Sequence, residues 1–524
     1  MRGIKKALTL LLLHATTLTS LAAQTSPAQK ARQNVLFIAV DDLRPELGCY
    51  GAGYIHSPNI DRLAKQGMVF RRAYCQQAVC SPSRSSVMTG TRPDTTKVWD
   101  LTTHFRKALP DVVTLGQHFM QHGYFVQGMG KIYHGGLDDA KTWSVPWQTP
   151  KATKYALPQN QALDRRNRIS DAPKDADQKD KDGTGDNAKA AVDPDAAQAS
   201  GFNVRGPAFE CADVPDNTYQ DGKVAELAIA TLQKCSRQAA PFFLAVGFIK
   251  PHLPFIAPKQ YWDRYDPAQI QLATNTFSPN GAPNYAVQPG GELRNYYGIP
   301  EGSIPFDLAR QLKHAYYAAI SYTDAQVGLL LDELDRLDIT KNTIVILWGD
   351  HGYKLGEHDA WCKHSNVEND VRAPLILTAP DMLQRGMSTD ALVEFVDIYP
   401  TLSELAGLPL PGHLEGVSFA PLLADPKRVW KSAAFSQYPR EAGKTGNQNL
   451  MGYSMRTERH RLTVWVLRKD HTAVVATELY DEVNDPQENT NVADLPANAP
   501  LIAQLMTQWQ QGWQGARPSF SSQH

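Results

Sequence analysis

Residues 80–84 read Cys-Ser-Pro-Ser-Arg. C-x-P-x-R is the pattern a maturation enzyme reads when it oxidises a cysteine to formylglycine, whose carbonyl hydrates to a geminal diol able to attack a sulfate ester. An unmodified thiolate attacks carbonyls well and sulfate sulfur poorly. Pro82 and the helix-compatible stretch 83–89 place residue 80 at a helix N-terminus, where backbone N–H groups favour anions. Arg84 falls one turn on, within reach of a diol or alkoxide at 80.

Two acidic pairs accompany the motif. Asp41 and Asp42 end the apolar run 34–40, and Asp350 and His351 follow the run 343–348. Three carboxylates and an imidazole at adjacent strand ends make an oxygen-rich site for a hard divalent cation, Ca²⁺ ahead of Mg²⁺. Three loops add cations and imidazoles: Lys131 with His134, Lys250-Pro-His252, and Lys363 with His364. Ammonium and imidazole groups suit the oxygens of a sulfate and can protonate a departing alkoxide. Lys97, His104 and Arg106 are candidates to meet a sugar carboxylate, and Lys354 would add positive charge near the pocket.

These residues need a scaffold. The runs 34–40, 241–247 and 343–348 have the length and composition of buried strands. Helical patterns at 60–67, 114–122, 223–233 and 306–337 alternate with them. The implied fold class is α/β, a large, mostly parallel sheet flanked by helices. Ligands in such sheets gather beyond the carboxyl ends of the strands, where both acidic pairs fall. Residues 164–200 are polar and almost free of large apolar side chains, which marks an insert. Its Asp180–Asp186 segment lacks calcium-loop spacing. From 429 to 524, short strands and a helix near 499–513 suggest a smaller C-terminal α+β subdomain, leaving 24–428 as the catalytic domain.

The chain has 53 basic and 54 acidic residues among 524, a net charge of −1. No global basic field points to nucleic acid. Residues 1–23 combine Arg2, Lys5 and Lys6 with a short apolar stretch and small residues at Ser20, Ala22 and Ala23, the pattern of a cleaved signal peptide and hence of export to a periplasm or beyond. No other apolar run reaches membrane-spanning length. Of six cysteines, Cys211 and Cys235 flank a helical pattern and could form one disulfide.

Together these segments resemble the formylglycine-dependent sulfatases of the alkaline-phosphatase superfamily, in their iduronate-sulfatase-like branch. The resemblance runs through Val40-Asp-Asp-Leu-Arg-Pro45, the segment 76–84, Thr91-Arg-Pro-Asp-Thr-Thr96, Gly130-Lys-Ile-Tyr-His134, Lys250-Pro-His-Leu-Pro-Phe255, the segment 349–358, 395–402 and Ser436-Gln-Tyr-Pro-Arg440. It implies an alkaline-phosphatase-like fold and Ca²⁺ bound by Asp41, Asp42, Asp350, His351 and a formylglycine at Cys80. It further implies a sulfate cradle of Lys131, His134, His252 and Lys363, supported by Arg84, with His252 as the acid for the leaving group. The implied partners are a formylglycine-generating enzyme and a sulfated polysaccharide or oligosaccharide carrying a 2-O-sulfated uronic acid. The competing readings are a phosphonate or phosphate monoester hydrolase, a sulfatase for a small ester such as choline sulfate, and an unmodified glycan-binding protein.

Overall fold

Strand β1 (Asn34–Val40) is buried along its whole length. Leu36, Ile38 and Val40 join the core on one face of the sheet, and Val35, Phe37 and Ala39 the core on the other. A strand covered on both faces must be apolar in both phases of its two-residue period, which is why it reads as an unbroken run. This computed structural model describes residues 32–170, 205–288, 290–442 and 448–519.

Strands β2 (Met68–Tyr74), β3 (Phe125–Gly130), β4 (Phe242–Phe248), β5 (Thr343–Gly349), β6 (Leu375–Thr378) and β7 (Met387–Glu394) complete a seven-stranded sheet. Its order is β7-β2-β6-β5-β1-β4-β3. β5, β1, β4 and β3 run parallel. β6 is antiparallel to β2 and β5, and β7 is parallel to β2. The sheet is therefore mixed with a parallel core.

The main helices are α1 (Pro58–Gln66), α2 (Cys80–Thr89), α3 (Leu115–Gln121), α4 (Pro158–Ser170), α5 (Gln220–Cys235) and α6 (Phe306–Arg336). α4 changes the reading of the insert, because residues 164–170 are helical. Within it, Asp164 is buried and accepts from Lys154 Nζ at 2.8 Å and Gly206 N at 3.3 Å. The expected signal peptide and residues 171–200 of the insert lie outside the described residues. All six cysteines are free thiols. The expected Cys211–Cys235 pair does not form: Cys235 is buried at the end of the 16-residue α5, and Cys211 is an exposed residue of the short strand Phe209–Ala212 before it.

A second sheet of β8 (Ala434–Ala442), β9 (Gln448–Arg456), β10 (His460–Leu467) and β11 (Asp470–Asp481) is antiparallel in chain order. Met455, Leu462, Val464 and Leu479 form its core with Leu505 of α7 (Ala499–Gly515). β8 is bonded to the segment before α2: Gln437 N donates to Gln76 O at 2.8 Å and Ser436 Oγ to Cys75 O at 2.6 Å. Among the described residues, no helix is long and apolar enough to cross a membrane.

The register aligns the carboxyl ends of the parallel strands. Val40 lies opposite both Phe248 and Gly349, and Gly130 opposite Gly247. The ladder continues one residue further, with Asp41 N donating to Phe248 O at 3.1 Å and Asp350 N to Val40 O at 3.2 Å. Lys131 N donates to Gly247 O at 2.9 Å. A Cβ on Gly247 would lie 2.1 Å from Lys131 O, so only glycine lets the Lys131 backbone cross here. Gly247→Ala is expected to displace that backbone and to cost about 1–3 kcal/mol of stability, with a loss of turnover as well. Thermal unfolding and kcat on one preparation check this; an unchanged midpoint with full turnover would contradict it.

Candidate active site

α2 begins at Cys80 and all ten of its residues are buried. Cys80 Sγ lies 3.5 Å from Asp41 Oδ1, 3.5 Å from His351 Nε2 and 3.6 Å from Lys131 Nζ. Burial and the neighbouring Asp41 push the thiol well above its ordinary range, against the pull of Lys131 and Lys363. As cysteine, residue 80 is a neutral thiol and a poor nucleophile.

Arg84 spends its donors on the acidic residues and the Lys131 loop. Nε donates to Asp350 Oδ2 at 2.8 Å, Nη2 to Asp41 Oδ1 at 3.1 Å, and Nη1 to the carbonyls of Lys131 and Ile132. Arg84 thus holds the carboxylates around position 80. Lys131 Nζ pairs with Asp41 Oδ2, and Lys363 Nζ donates to Asp42 Oδ1 at 2.9 Å and Oδ2 at 3.0 Å. Burial alone would raise Asp41; Lys131, His252 and Arg84 outweigh it and hold the carboxyl well below its usual range. Asp42 (φ 58°), Cys362 (φ 70°) and His364 (φ 86°) adopt the left-handed conformation, which costs non-glycine residues energy and clusters at functional sites. Burial and Lys131 hold His134 down at about 3, so its imidazole is neutral, and its Nδ1 has no partner among the described residues.

Sequence reasoning missed two acidic residues here. Asp221 on α5 accepts from Ile249 N at 2.9 Å and Lys250 N at 2.7 Å, fixing the loop that carries His252. Lys250 Nζ is turned inward to the carbonyls of His252 and Pro254, each at 2.7 Å, and burial brings it down to about 8. Glu292, on the helical turn Gly291–Arg294, lies 3.0 Å from His252 Nε2 and 2.7 Å from Lys363 Nζ. Nothing in the Gly-Gly-Glu-Leu-Arg sequence around it signals chemistry. Asp221 had only its place on an apolar helical face as a clue.

Four other expected residues lie outside this cluster. Lys354 is fully buried and paired with Asp370, so its charge is neutralised there instead of facing a pocket. Arg106 makes a two-pronged bond to Asp139, 2.7 Å on each side. His104 accepts from Arg106 N through Nδ1 at 3.1 Å and stacks on Phe105, capping a short turn. Lys97 is exposed, with Nζ 5.6 Å from the centre of the Trp99 ring.

Asp41, Cys80, Asp350 and His351 bring ligand atoms within 4.8 Å of one another, and Asp41, Asp42, Cys80 and His252 form an overlapping set. Among the described residues, the Lys and Arg side chains paired with the carboxylates of Asp41, Asp42, Asp350 and Glu292 are Arg84, Lys131 and Lys363. The donors are carboxylate oxygens and imidazole, and the surplus negative charge fits a hard divalent cation.

A mixed sheet with a parallel core, a helix that begins at residue 80 and a ring of buried acids and cations define a hydrolase of anionic esters. Residues 33–408 match the sulfatase family, and residues 356–514 match the N-sulphoglucosamine sulphohydrolase C-terminal family. The chain belongs to the sulfatase family and is a sulfuric ester hydrolase. It is 34% identical to iduronate 2-sulfatase of Mus musculus, over 92% of this chain and 95% of that protein. The solved structure of an enzyme with its substrate D-glucosamine-2-N,6-O-disulfate superposes with a TM-score of 0.69 at 20% identity, covering 93% of this chain and 98% of the other. The phosphonate monoester hydrolase of Silicibacter pomeroyi gives 0.68 at 21%, covering 94% and 97%; these last two likenesses concern the fold alone.

Burial holds Asp221 up at about 6, against the two N–H groups it accepts. A carboxyl raised above its unfolded value of 3.8 contributes stability that is full below that value and lost as pH rises through the folded one. The stability of the wild type relative to Asp221→Asn should therefore fall between about pH 4 and about pH 7. Denaturant unfolding of both proteins across that range tests this, and a constant or rising difference would refute it.

Proposed function

We propose that the chain is an exported sulfatase that removes the 2-O-sulfate of a uronic acid in a glycosaminoglycan or related sulfated polysaccharide, using Ca²⁺ and a formylglycine made from Cys80. The observation that carries this reading is C-x-P-x-R at a buried helix N-terminus inside a ring of acids and cations, in a chain 34% identical to an iduronate 2-sulfatase. Export rests on the basic and apolar pattern of residues 1–23.

Conversion of Cys80 by a formylglycine-generating enzyme would supply a hydrated aldehyde as nucleophile. Ca²⁺, held by Asp41, Asp42, Asp350 and His351 with residue 80, would supply positive charge against the sulfate oxygens. The chain's own residues do the rest. Arg84 keeps Asp41 and Asp350 in place, and Lys131, Lys363 and the neutral His134 orient the sulfate. As the S–O bond breaks, its electron pair stays on the sugar oxygen, which takes a proton from His252 Nε2.

The rim supports an anionic polymer. Lys97 Nζ and Arg468 Cζ lie 5.6 and 4.9 Å from the centre of the same Trp99 ring. Both are exposed, and like charges gathered on one indole favour a bound anion. Trp99 O accepts from Gln77 Nε2 at 2.8 Å, three residues before Cys80. On the other side, Arg440, Leu450 and Leu467 form one row of the second sheet. Arg468 N donates to Asn449 O at 2.9 Å, and Asn449 pairs with Glu441, the residue after Arg440, whose guanidinium bonds His364 O next to Lys363.

Intact mass of protein from its native host should show a loss of roughly 18 Da, the thiol-to-aldehyde exchange, and Cys80→Ala should abolish turnover. Parallel assays on a 2-O-sulfated uronide, choline sulfate and a phosphonate ester rank the substrates. Preference for the phosphonate overturns the sulfated-uronate reading, and an unmodified Cys80 favours a glycan-binding protein. Separately, Lys97→Ala with Arg468→Ala should raise KM for a sulfated oligosaccharide about tenfold while leaving that for a sulfated monosaccharide nearly unchanged. Equal effects on both substrates would remove the rim from recognition.

A further inference from the structure

We propose that Glu292 is a positioning residue of the reaction, one carboxylate that fixes both the proton-bearing nitrogen of His252 and the ammonium of Lys363. The proposal rests on the role given above to His252.

Glu292 is 6% exposed, on a turn pressed against the segment that carries Lys363. A Cβ on Gly290 would lie 2.2 Å from Trp361 O, so a glycine there is what lets the turn approach. Oε1 faces His252 Nε2 at 3.0 Å and Oε2 faces Lys363 Nζ at 2.7 Å. On the other side of the ring, His252 Nδ1 lies 2.6 Å from Leu253 O. The imidazole is thereby held at two points, one at each ring nitrogen. Nε2 then sits 3.9 Å from Asp42 Oδ2 and 4.0 Å from Asp41 Oδ2, on the edge of the space beside Cys80.

Lys363 is held in the same way, between Glu292 and Asp42. Without Glu292, both of its close carboxylate contacts would be to Asp42, a residue that the divalent cation also claims. One buried carboxylate therefore couples the group that grips sulfate to the group that protonates the leaving oxygen. A carboxylate kept only for stability would have no reason to touch these two side chains together.

The two connections separate by leaving group. An aryl sulfate such as 4-nitrophenyl sulfate releases a stable phenolate that needs little protonation, whereas a sugar alkoxide needs a proton as it leaves. Loss through Lys363 affects both substrates, and loss through His252 affects the sugar. Glu292→Gln keeps the volume and removes the charge; Glu292→Asp keeps the charge and shortens the reach.

The test is kcat and KM for wild type, Glu292→Gln, Glu292→Asp and His252→Ala on a sulfated uronide and on 4-nitrophenyl sulfate, with thermal midpoints alongside. For Glu292→Gln we expect kcat on the uronide to fall about 100-fold and on the aryl sulfate about tenfold less than that, with partial recovery in Glu292→Asp. Equal losses on the two substrates, or no loss, in a chain whose His252→Ala variant does discriminate would overturn the proposal. A His252→Ala variant that does not discriminate would instead overturn the role of His252 on which it stands. If Glu292→Gln does not fold, Glu292→Asp carries the same comparison, and a uronide-selective loss in it is the supporting result.

Discussion

Four carboxylates share a small volume at the carboxyl edge of the parallel strands, and the rest of the site follows from keeping them there. Moving one ionised carboxylate out of water costs several kcal/mol even after relaxation, more than a fully buried leucine returns. Three cations meet that cost. Arg84 reaches Asp41 and Asp350 from one turn into α2. Lys131 arrives from the end of β3, and Lys363 from a loop held by two left-handed residues. Each cation comes from a different element, so the acids act as a clamp on the strand ends, α2 and the Lys363 loop together. The surplus negative charge is what a divalent cation would neutralise, and the site would then present net positive charge to an anionic ester.

This constraint explains which parts were legible in the sequence. β1 and β5 announce themselves because a doubly covered strand is apolar at every position, and an acidic pair directly after such a run can only emerge at the strand end. The motif at 80–84 adds its proline and arginine at fixed spacing. Lys131, His252 and Lys363 were found through their resemblance and local setting, and the structure brings them around Cys80. Glu292 was silent because its partners are 40 and 71 residues away in the chain, and a lone acid between glycines and leucine has no periodicity to read. Lys354 shows the opposite failure. It lies in a motif rich in chemistry, but its charge is cancelled by Asp370, a residue whose sequence neighbours give no hint of the contact. The start of the polar insert misled for a related reason, since composition reports burial and not helix, and α4 continues to Ser170.

The second sheet is also part of the site. Its Arg440 bonds His364 O, and its β8 is tied to the Cys75–Gln76 backbone just before α2. Two segments that matter to the chemistry, one before residue 80 and one after Lys363, are thus braced by one strand. A chain ending before residue 434 would leave both unbraced. The motif 436–440 is accordingly as much a site element as the acidic pairs.

The thiol at residue 80 completes the argument. Burial and Asp41 hold it neutral, so the surroundings that would stabilise an oxygen nucleophile suppress a sulfur one. A thiolate there would add a further negative charge to a volume already short of positive charge. A hydrated aldehyde would be neutral, would carry two oxygens where hard cations prefer them, and would sit at a helix N-terminus that favours charge developing on oxygen. The electrostatics that make Cys80 inert as a cysteine are those under which its oxidised form would work. The proposed conversion at this position and the acidic ring around it would therefore be two halves of one design.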